Sequence, residues 1–449
     1  MRTRETRARS YAFLRKGNLR VLGTAIAILA GLVLTGGNQA QAASFCVNPS
    51  GSDGCYTTIG DAVAAASPGD TIQVAQGTYK EDVVIGKPLS LIGHNAADTI
   101  IDATGLANGI YVDGLDNSGL ANVTVSGFTV ENANFEGILI TNASSVAIQG
   151  NRVTGNDRSL NFAAGKCPGL PAFETAEGED CGEGIHLSGV ANSFLSSNLI
   201  DGNSGGVLVS DETGPTHDNM IANNVVKKNL LDCGITIPSH PPAPGSGGTA
   251  PFGVYSNTIT GNEVLYNGVE GVGAGIGLFG FLPGARVSDN LISKNIIIGN
   301  GLPGVTMHAH SPGENMNNNT ITGNYISGNG ADSADAKTPG PSGINLYINV
   351  HGASGPSGIV VEKNVIKNET DDIVLHMPES VDVHRNNLNG HGQGVVNLGT
   401  SAVDASNNWW GCAMGPGAFG CSQVTGSNVT VAPWLSSPAV PNGSPDAQH

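Results

Sequence analysis

Residues 304–310 read GVTMHAH, and the alternation of His308, Ala309 and His310 is the sharpest chemical signal in the chain. On a β-strand, residues two apart project from the same side about 7 Å apart. Two imidazoles so placed can supply two ligands to a metal ion, or a base and a substrate contact. Spacing alone leaves a third ligand open, although Glu212 and His240 hold the equivalent position on earlier segments. A second concentration lies in SDETGPTHD, which carries Asp211, Glu212, His217 and Asp218, and LLDCGITIPSH adds Asp232 and His240. Carboxylates on neighbouring segments can stand the ~5 to 9.5 Å apart that glycosidase acid and base pairs use. Carboxylate and carbonyl oxygens also suit Ca²⁺, although nothing in the sequence requires a cofactor. Asp211, Glu212, His308 and His310 are therefore the catalytic candidates. Taken singly, each group is also what an ordinary solvated face or turn would carry.

These residues are placed by a repeat. NTITGN stands at 257–262 and again at 319–324, with looser copies NRVTGN from Asn151, NLIDGN from Asn198, NLISKN from Asn290 and NVIKN from Asn364. A short phrase beginning with Gly, once with Asp, recurs at Gly109, Gly137, Gly184, Gly206, Gly234, Gly275, Gly304, Gly343 and Asp372. Its second and fourth residues are apolar in every copy, from Ile110 and Val112 to Ile373 and Leu375, the mark of a strand with one buried face. Two or three short strands in a period in the twenties, with no helical pattern between them, predict an all-β fold. Neither strand can bury its apolar face alone, so the coils must stack as a parallel β-solenoid, each about 4.8 Å above the last. Asn at corresponding corners can then pair from coil to coil and satisfy the bends.

The remaining features bound the class of protein. Only 13% of the 449 residues are charged and 65 are glycine, which fits a turn-rich β protein. The order of basic segment, apolar VLGTAIAILAGLVLTGG and AQA ending at Ala42 reads as a secretory signal over residues 1–42, with a retained membrane anchor as the alternative. No other stretch could span a membrane. Removing 1–42 takes the formal charge from −17 to −23, and the few scattered basic residues exclude a nucleic-acid partner. Cysteine spacing suits an exported chain with three local disulfides, Cys46–Cys55, Cys167–Cys181 and Cys412–Cys421, leaving Cys233 as a buried thiol.

A solenoid needs its ends covered. TIGDAVAAASPGDTIQV predicts a short helix after Thr58 over the first coil, and NNWWGCAMGPGAFGC with APWL brings Trp409, Trp410 and Trp434 to the other end as a buried cap. The solenoid with its caps should occupy residues 43–436, about ten to twelve coils, and 437–449 should be a disordered tail. The Gly-Ile phrases, the NxIxxN corners, the GDTIQVAQGTYKEDVVIGKPLSLIG opening and the NNWWG…GP…PWL close resemble secreted right-handed parallel β-helix proteins with pectin-lyase-like folds, over residues 56–436. That resemblance implies the fold and leaves the chemistry open, because the scaffold carries lyases, hydrolases, esterases, epimerases, adhesins and copper-associated NosD-type proteins. The opening resembles pectin esterases, but their catalytic motifs do not follow. Asp371-Asp372 and GHG at 390–392 match polygalacturonases without the partner motifs, and no outward position offers the basic residue of a polyuronate lyase.

If the second and fourth residues of each phrase face inward, the third, fifth and seventh face solvent. Imidazoles and aromatic rings gather there, beside insertions at 158–182, 238–250 and 331–342. Loops on a rigid solenoid make a groove. Glu212, His240, Phe279, Phe281, His308, His310 and Tyr347 are accordingly expected on an exposed strip, with His186, Asp232, His240, Phe279, Phe281 and Tyr347 as substrate contacts. The expected function is binding, and cleavage or modification, of a mostly neutral polysaccharide or cell-surface glycan by a secreted, periplasmic or cell-surface monomer. The alternatives are a non-catalytic structural or adhesive solenoid and, more distantly, a NosD-like metal accessory role motivated by His308, His310 and Met316.

Overall fold

A computed structural model of the chain describes residues 42–159, 167–171, 173, 181–269, 271–348 and 356–440. The expected signal segment and most of residues 437–449 lie outside these, as does most of the 158–182 insertion.

Period-two alternation does what elementary packing requires of it. All nine Gly-Ile phrases form strands, from Ile110–Asp113 to Asp371–His376, and their second and fourth residues are 0–1% exposed in every coil. Strands of successive coils pair in parallel, so each apolar position repeats above itself and the side chains line one continuous core. Three long parallel sheets of 14, 12 and 11 strands result, with a three-stranded sheet beside them. The Gly-Ile phrases lie in the 12-stranded sheet. Its register aligns Phe279 with Pro238 and His308, and His308 with Tyr347, which in turn aligns with His376.

The recurring Asn residues form hydrogen-bonded columns. Asn262 Nδ2 donates to Asn295 Oδ1 at 3.0 Å and to the Ile221 carbonyl at 2.9 Å, while Asn262 Oδ1 accepts from the backbone N and Nδ2 of Asn224, both at 3.0 Å. The column continues from Asn151 to Asn408 with every rung buried. A second column runs from Asn156 to Asn329 and ends on a different residue, Glu369, whose carboxyl accepts from the Asn329 backbone N at 3.1 Å and Nδ2 at 3.0 Å. Glycine opens the phrases because the corner is closed: a Cβ at Gly275 would stand 2.4 Å from Ile297 Cγ2 and 2.5 Å from the Gly304 carbonyl oxygen. Where Asp372 replaces glycine, its side chain fits because residue 390 is Gly, which would otherwise place a Cβ 2.3 Å from Asp372 Oδ1.

At the amino-terminal end, helix Ile59–Ala65 buries Ile59, Ala62 and Val63 and packs against strands Ser44–Val47, Asp70–Val74 and Val83–Ile85. Thr58 caps it by accepting from the Asp61 N–H, and the Glu81 carboxylate accepts from the N–H groups of Ile59 and Gly60, where the helix dipole favours negative charge. At the other end the expected Trp cap is only partly buried. Trp410 is fully buried under the last coils, Trp409 is half-buried and Trp434 is 41% exposed, lying over Gly415 on the surface. The three disulfides pair as their spacing suggests, and Cys233 is free and buried. Among the described residues, no helix is long and apolar enough to cross a membrane.

Candidate functional site

Three consecutive strands of the Gly-Ile sheet build the site: Ile235–Ser239, Ile276–Gly280 and Val305–Ala309. They place Asp232, Thr236, Phe279, Phe281, His308 and His310 along a cleft of about 520 Å³, and the insertion before Gly343 closes its side with Asp332 and Asp335. The floor is a pile of rings. Phe281 stacks on His310 at 5.1 Å with parallel planes and on His240 at 5.2 Å, while Phe279 meets His308 at 5.3 Å, edge to face. Tyr347 and His376 extend the pile one and two coils further, with centroids 6.0 and 5.2 Å apart along it.

The histidine pair is organised around one carboxylate. Asp335 Oδ2 lies 3.1 Å from His308 Nδ1 and 2.9 Å from His310 Nε2. The His308 and His310 imidazoles hold the Asp335 carboxyl well below the usual carboxylate range, and Asp335 in turn raises His310. On its other edge, His308 Nε2 lies 2.7 Å from Thr306 Oγ1, with Asp332 Oδ2 behind at 3.7 Å. The remaining ring nitrogen of His310, Nδ1, lies 2.8 Å from the Gly280 carbonyl oxygen and so donates to it. Glu314 braces the turn by accepting from the backbone N–H groups of His310 and Ser311, and burial pushes its carboxyl up to about 7. The loop bearing Asp335 is itself tied down: Asp332 Oδ1 accepts from the Asp335 N–H at 2.9 Å, and Thr338 Oγ1 accepts from the Asp332 N–H at 2.7 Å.

The expected exposed strip is only partly present. Phe279, Phe281 and Tyr347 are half-buried and His310 is exposed, but Glu212, His240 and His308 are buried, as are Asp211, His186 and Asp232. For Glu212 and His240 the reason is a segment that sequence places beside the face and the fold places over it, while His308 lies under the loop that carries Asp332 and Asp335. Residues after Ser239 fold back, so that the Ala243 N–H donates to the Glu212 carbonyl at 2.7 Å and Phe281 covers His240. Beneath this cover Glu212 Oε1 lies 2.7 Å from His240 Nδ1, and its other oxygen accepts from the hydroxyls of Ser188 and Ser210. Burial alone would push the Glu212 carboxyl up, but the hydrogen bond and charge of His240 outweigh it and hold the group down. Asp211 accepts from Ser239 Oγ, the His240 N–H and the Gly253 N–H; burial, then the charge of Glu212, push it up to about 6. Neither carboxyl lines the cleft, nor does His186, which lies 2.8 Å from Ser210 Oγ. The third partner of the histidine pair is thus Asp335 rather than Glu212 or His240. Met316 points into the core at 1% exposure and takes no part.

Asp332 and Asp335 are the residues that sequence reasoning passed over. The insertion 331–342 is legible as a rim loop, and ADSADAKTPG within it is its only acidic stretch. That acidic loop beside the strand register holding two histidines was the signal available.

Residues 94–244 match the family model for right-handed β-helix regions, and 172–347 match that for the periplasmic copper-binding protein NosD. A probable pectinesterase A of Aspergillus niger is 34% identical over 124 residues, which is 25% of this chain; the chain spans 38% of the length of that curated relative. Among solved structures, the A-module of an Azotobacter vinelandii mannuronan C-5 epimerase is similar at 14% identity and TM-score 0.48, covering 83% of this chain and 93% of that one. The catalytic unit of an α-1,3-glucanase from Streptomyces thermodiastaticus is similar at 15% identity and TM-score 0.46, covering 85% and 66%. With parallel strands stacked in register along three long sheets and a β-helix match over residues 94–244, the chain is a right-handed parallel β-helix repeat protein.

Proposed function

We propose that the protein is an exported β-helix protein that binds a mostly neutral polysaccharide in the cleft between the Gly-Ile face and the 331–342 loop. The observation that carries this reading is the lining of that cleft: half-buried Phe279 and Phe281 beside carboxylates and imidazoles, in a volume of about 520 Å³. Aromatic rings offer apolar faces to sugar rings, and a few placed polar groups then hold hydroxyls. The charge of −23 expected after signal removal, with Asp232, Asp332 and Asp335 at the cleft itself, disfavours a polyanionic chain. The local likeness to a pectinesterase supports carbohydrate as the ligand class. Export is supported by the amino-terminal signal pattern and the three disulfides.

Hydrolysis is a second reading, favoured by the two aspartates on opposite edges of His308. Their near oxygens can be no farther apart than the two contacts plus the ring width, within the ~9.5 Å limit of glycosidase pairs. A glycan array with the exported chain, followed by a reducing-sugar assay on each ligand found, tests both. Phe279→Ala should weaken glycan binding by about tenfold with little loss of fold, because a half-exposed ring contributes modest core burial. Absence of any glycan ligand, or a Phe279→Ala variant that binds as the parent does, refutes the binding reading. Binding without sugar release refutes hydrolysis alone.

A further inference from the structure

We propose that His308 Nδ1, His310 Nε2 and the Asp335 carboxylate form a site for one divalent first-row transition ion of the zinc class at the floor of the cleft. The three donor atoms lie within 4.8 Å of one another. Bonds of about 2.0 to 2.2 Å to a tetrahedral ion put neighbouring donors about 3.4 Å apart, so the observed 2.9 and 3.1 Å separations need open by only a few tenths of an ångström.

The far nitrogens of both rings are held in a way that allows this. His310 donates through Nδ1 to the Gly280 carbonyl, which in a neutral ring leaves Nε2 as a bare lone pair aimed at Asp335. His308 Nε2 faces the Thr306 hydroxyl at 2.7 Å, the Asn345 amide Nδ2 at 3.5 Å and Asp332 at 3.7 Å, so its proton can sit on either nitrogen, and Nδ1 presents a lone pair to Asp335 whenever Nε2 donates to Thr306. In that tautomer two lone pairs and a carboxylate oxygen converge on one point, an arrangement that a bound cation satisfies. Holding each ligand histidine by its far nitrogen is also how metal sites orient their imidazoles.

The donor set selects the class of ion. Two imidazoles and one carboxylate suit a borderline ion and leave a coordination position for water or a substrate oxygen, whereas Ca²⁺ takes six to eight oxygens. The site opens to solvent on one side, with the His310 and Asp335 side chains 28% and 53% exposed, while His308 is 3% exposed. The proposal concerns the same cleft as the glycan reading and does not rest on it.

The test is a titration of Zn²⁺ alone into the chelator-stripped exported chain, followed by calorimetry and by metal analysis after desalting. One equivalent should bind, and Cu²⁺ should displace it, as the divalent affinity series requires. Asp335→Asn and His310→Ala should each weaken Zn²⁺ binding by at least about tenfold, and Thr306→Val, which frees the far nitrogen of His308, by about tenfold. His217→Ala, which changes a histidine outside the cleft, should bind as the parent does. Far-ultraviolet circular dichroism identifies variants that fail to fold; Asp335→Asn alters an exposed side chain and keeps the test available. A parent chain that takes up neither ion, or folded Asp335→Asn and His310→Ala chains that bind as it does, overturns the site. A chain that binds Zn²⁺ and no glycan refutes the proposed function and leaves this inference standing; the converse result separates them the other way.

Discussion

Glu369 shows how one substitution in a repeat changes what a position does. At the equivalent rung of every coil from Asn156 to Asn329 an amide both accepts and donates, and at Glu369 a carboxyl can only accept when ionised. It is 3% exposed, and burial pushes its pKa up to about 7 from an ordinary value near 4.5. The unfolded chain therefore releases this proton near pH 4.5 while the folded chain keeps it to about 7. Stability from this group is fully present below the unfolded value and falls as pH rises through the folded one. The loss is a few kcal/mol at about 1.4 kcal/mol per pKa unit. Glu369→Gln keeps the shape and removes the titration. Its denaturation midpoint should be less sensitive between pH 5 and 8 than the parent's, and higher at pH 8. An unchanged slope would mean that other buried carboxyls, Asp211 and Asp372, carry the dependence.

At the scale of the element, what was legible is what is local. Alternation in the Gly-Ile phrases placed every inward residue, because a strand's period is two and the stacked coils share one register. The NxIxxN corners were legible for the same reason, each lying on its own short turn and strand. Cover was not: whether Glu212 and His240 see solvent depends on where the segment after Ser239 folds, and on Phe281 reaching back from the next coil. The Asp335 contact likewise joins a strand to a loop 25 residues away. A rung of the Asn column gives the corresponding prediction. Asn262→Ala would take the Asn262 partner from the buried Asn224 N–H and Ile221 carbonyl, while the Asn224 amide keeps the Leu195 and Ala222 carbonyls. Losing such bonds inside a fold costs about 1 to 3 kcal/mol per unsatisfied group, so a total of several kcal/mol should appear in urea unfolding. Asn408→Ala, at the end of its column, should cost about as much, because its Oδ1 accepts from the Asn386 N–H and amide and its Nδ2 donates to the Val383 and Ala405 carbonyls.

Over the whole molecule, each coil touches only its neighbours, so stability is a sum of coil terms and interfaces, and damage at one end need not reach the middle. Trp410 tests this. It is fully buried at the carboxy-terminal end, against the position of Gly394, where an added Cβ would come within 2.8 Å of its ring. Trp410→Ala removes the largest side chain buried there and leaves a cavity, a change that typically costs ~3 to 5 kcal/mol. The cleft is built on Ile235–Ser239, Ile276–Gly280 and Val305–Ala309, with strands Ser342–Tyr347 and Asp371–His376 lying between it and the terminal strands Gln393–Asn397 and Gln423–Thr425. Amide exchange in Trp410→Ala should therefore accelerate in the terminal strands and stay near the parent's in the three cleft strands, with Zn²⁺ and glycan binding retained. Equal acceleration along the whole sheet would show that the coils unfold as one unit, in which case the end residues hold the cleft together as firmly as its own side chains do.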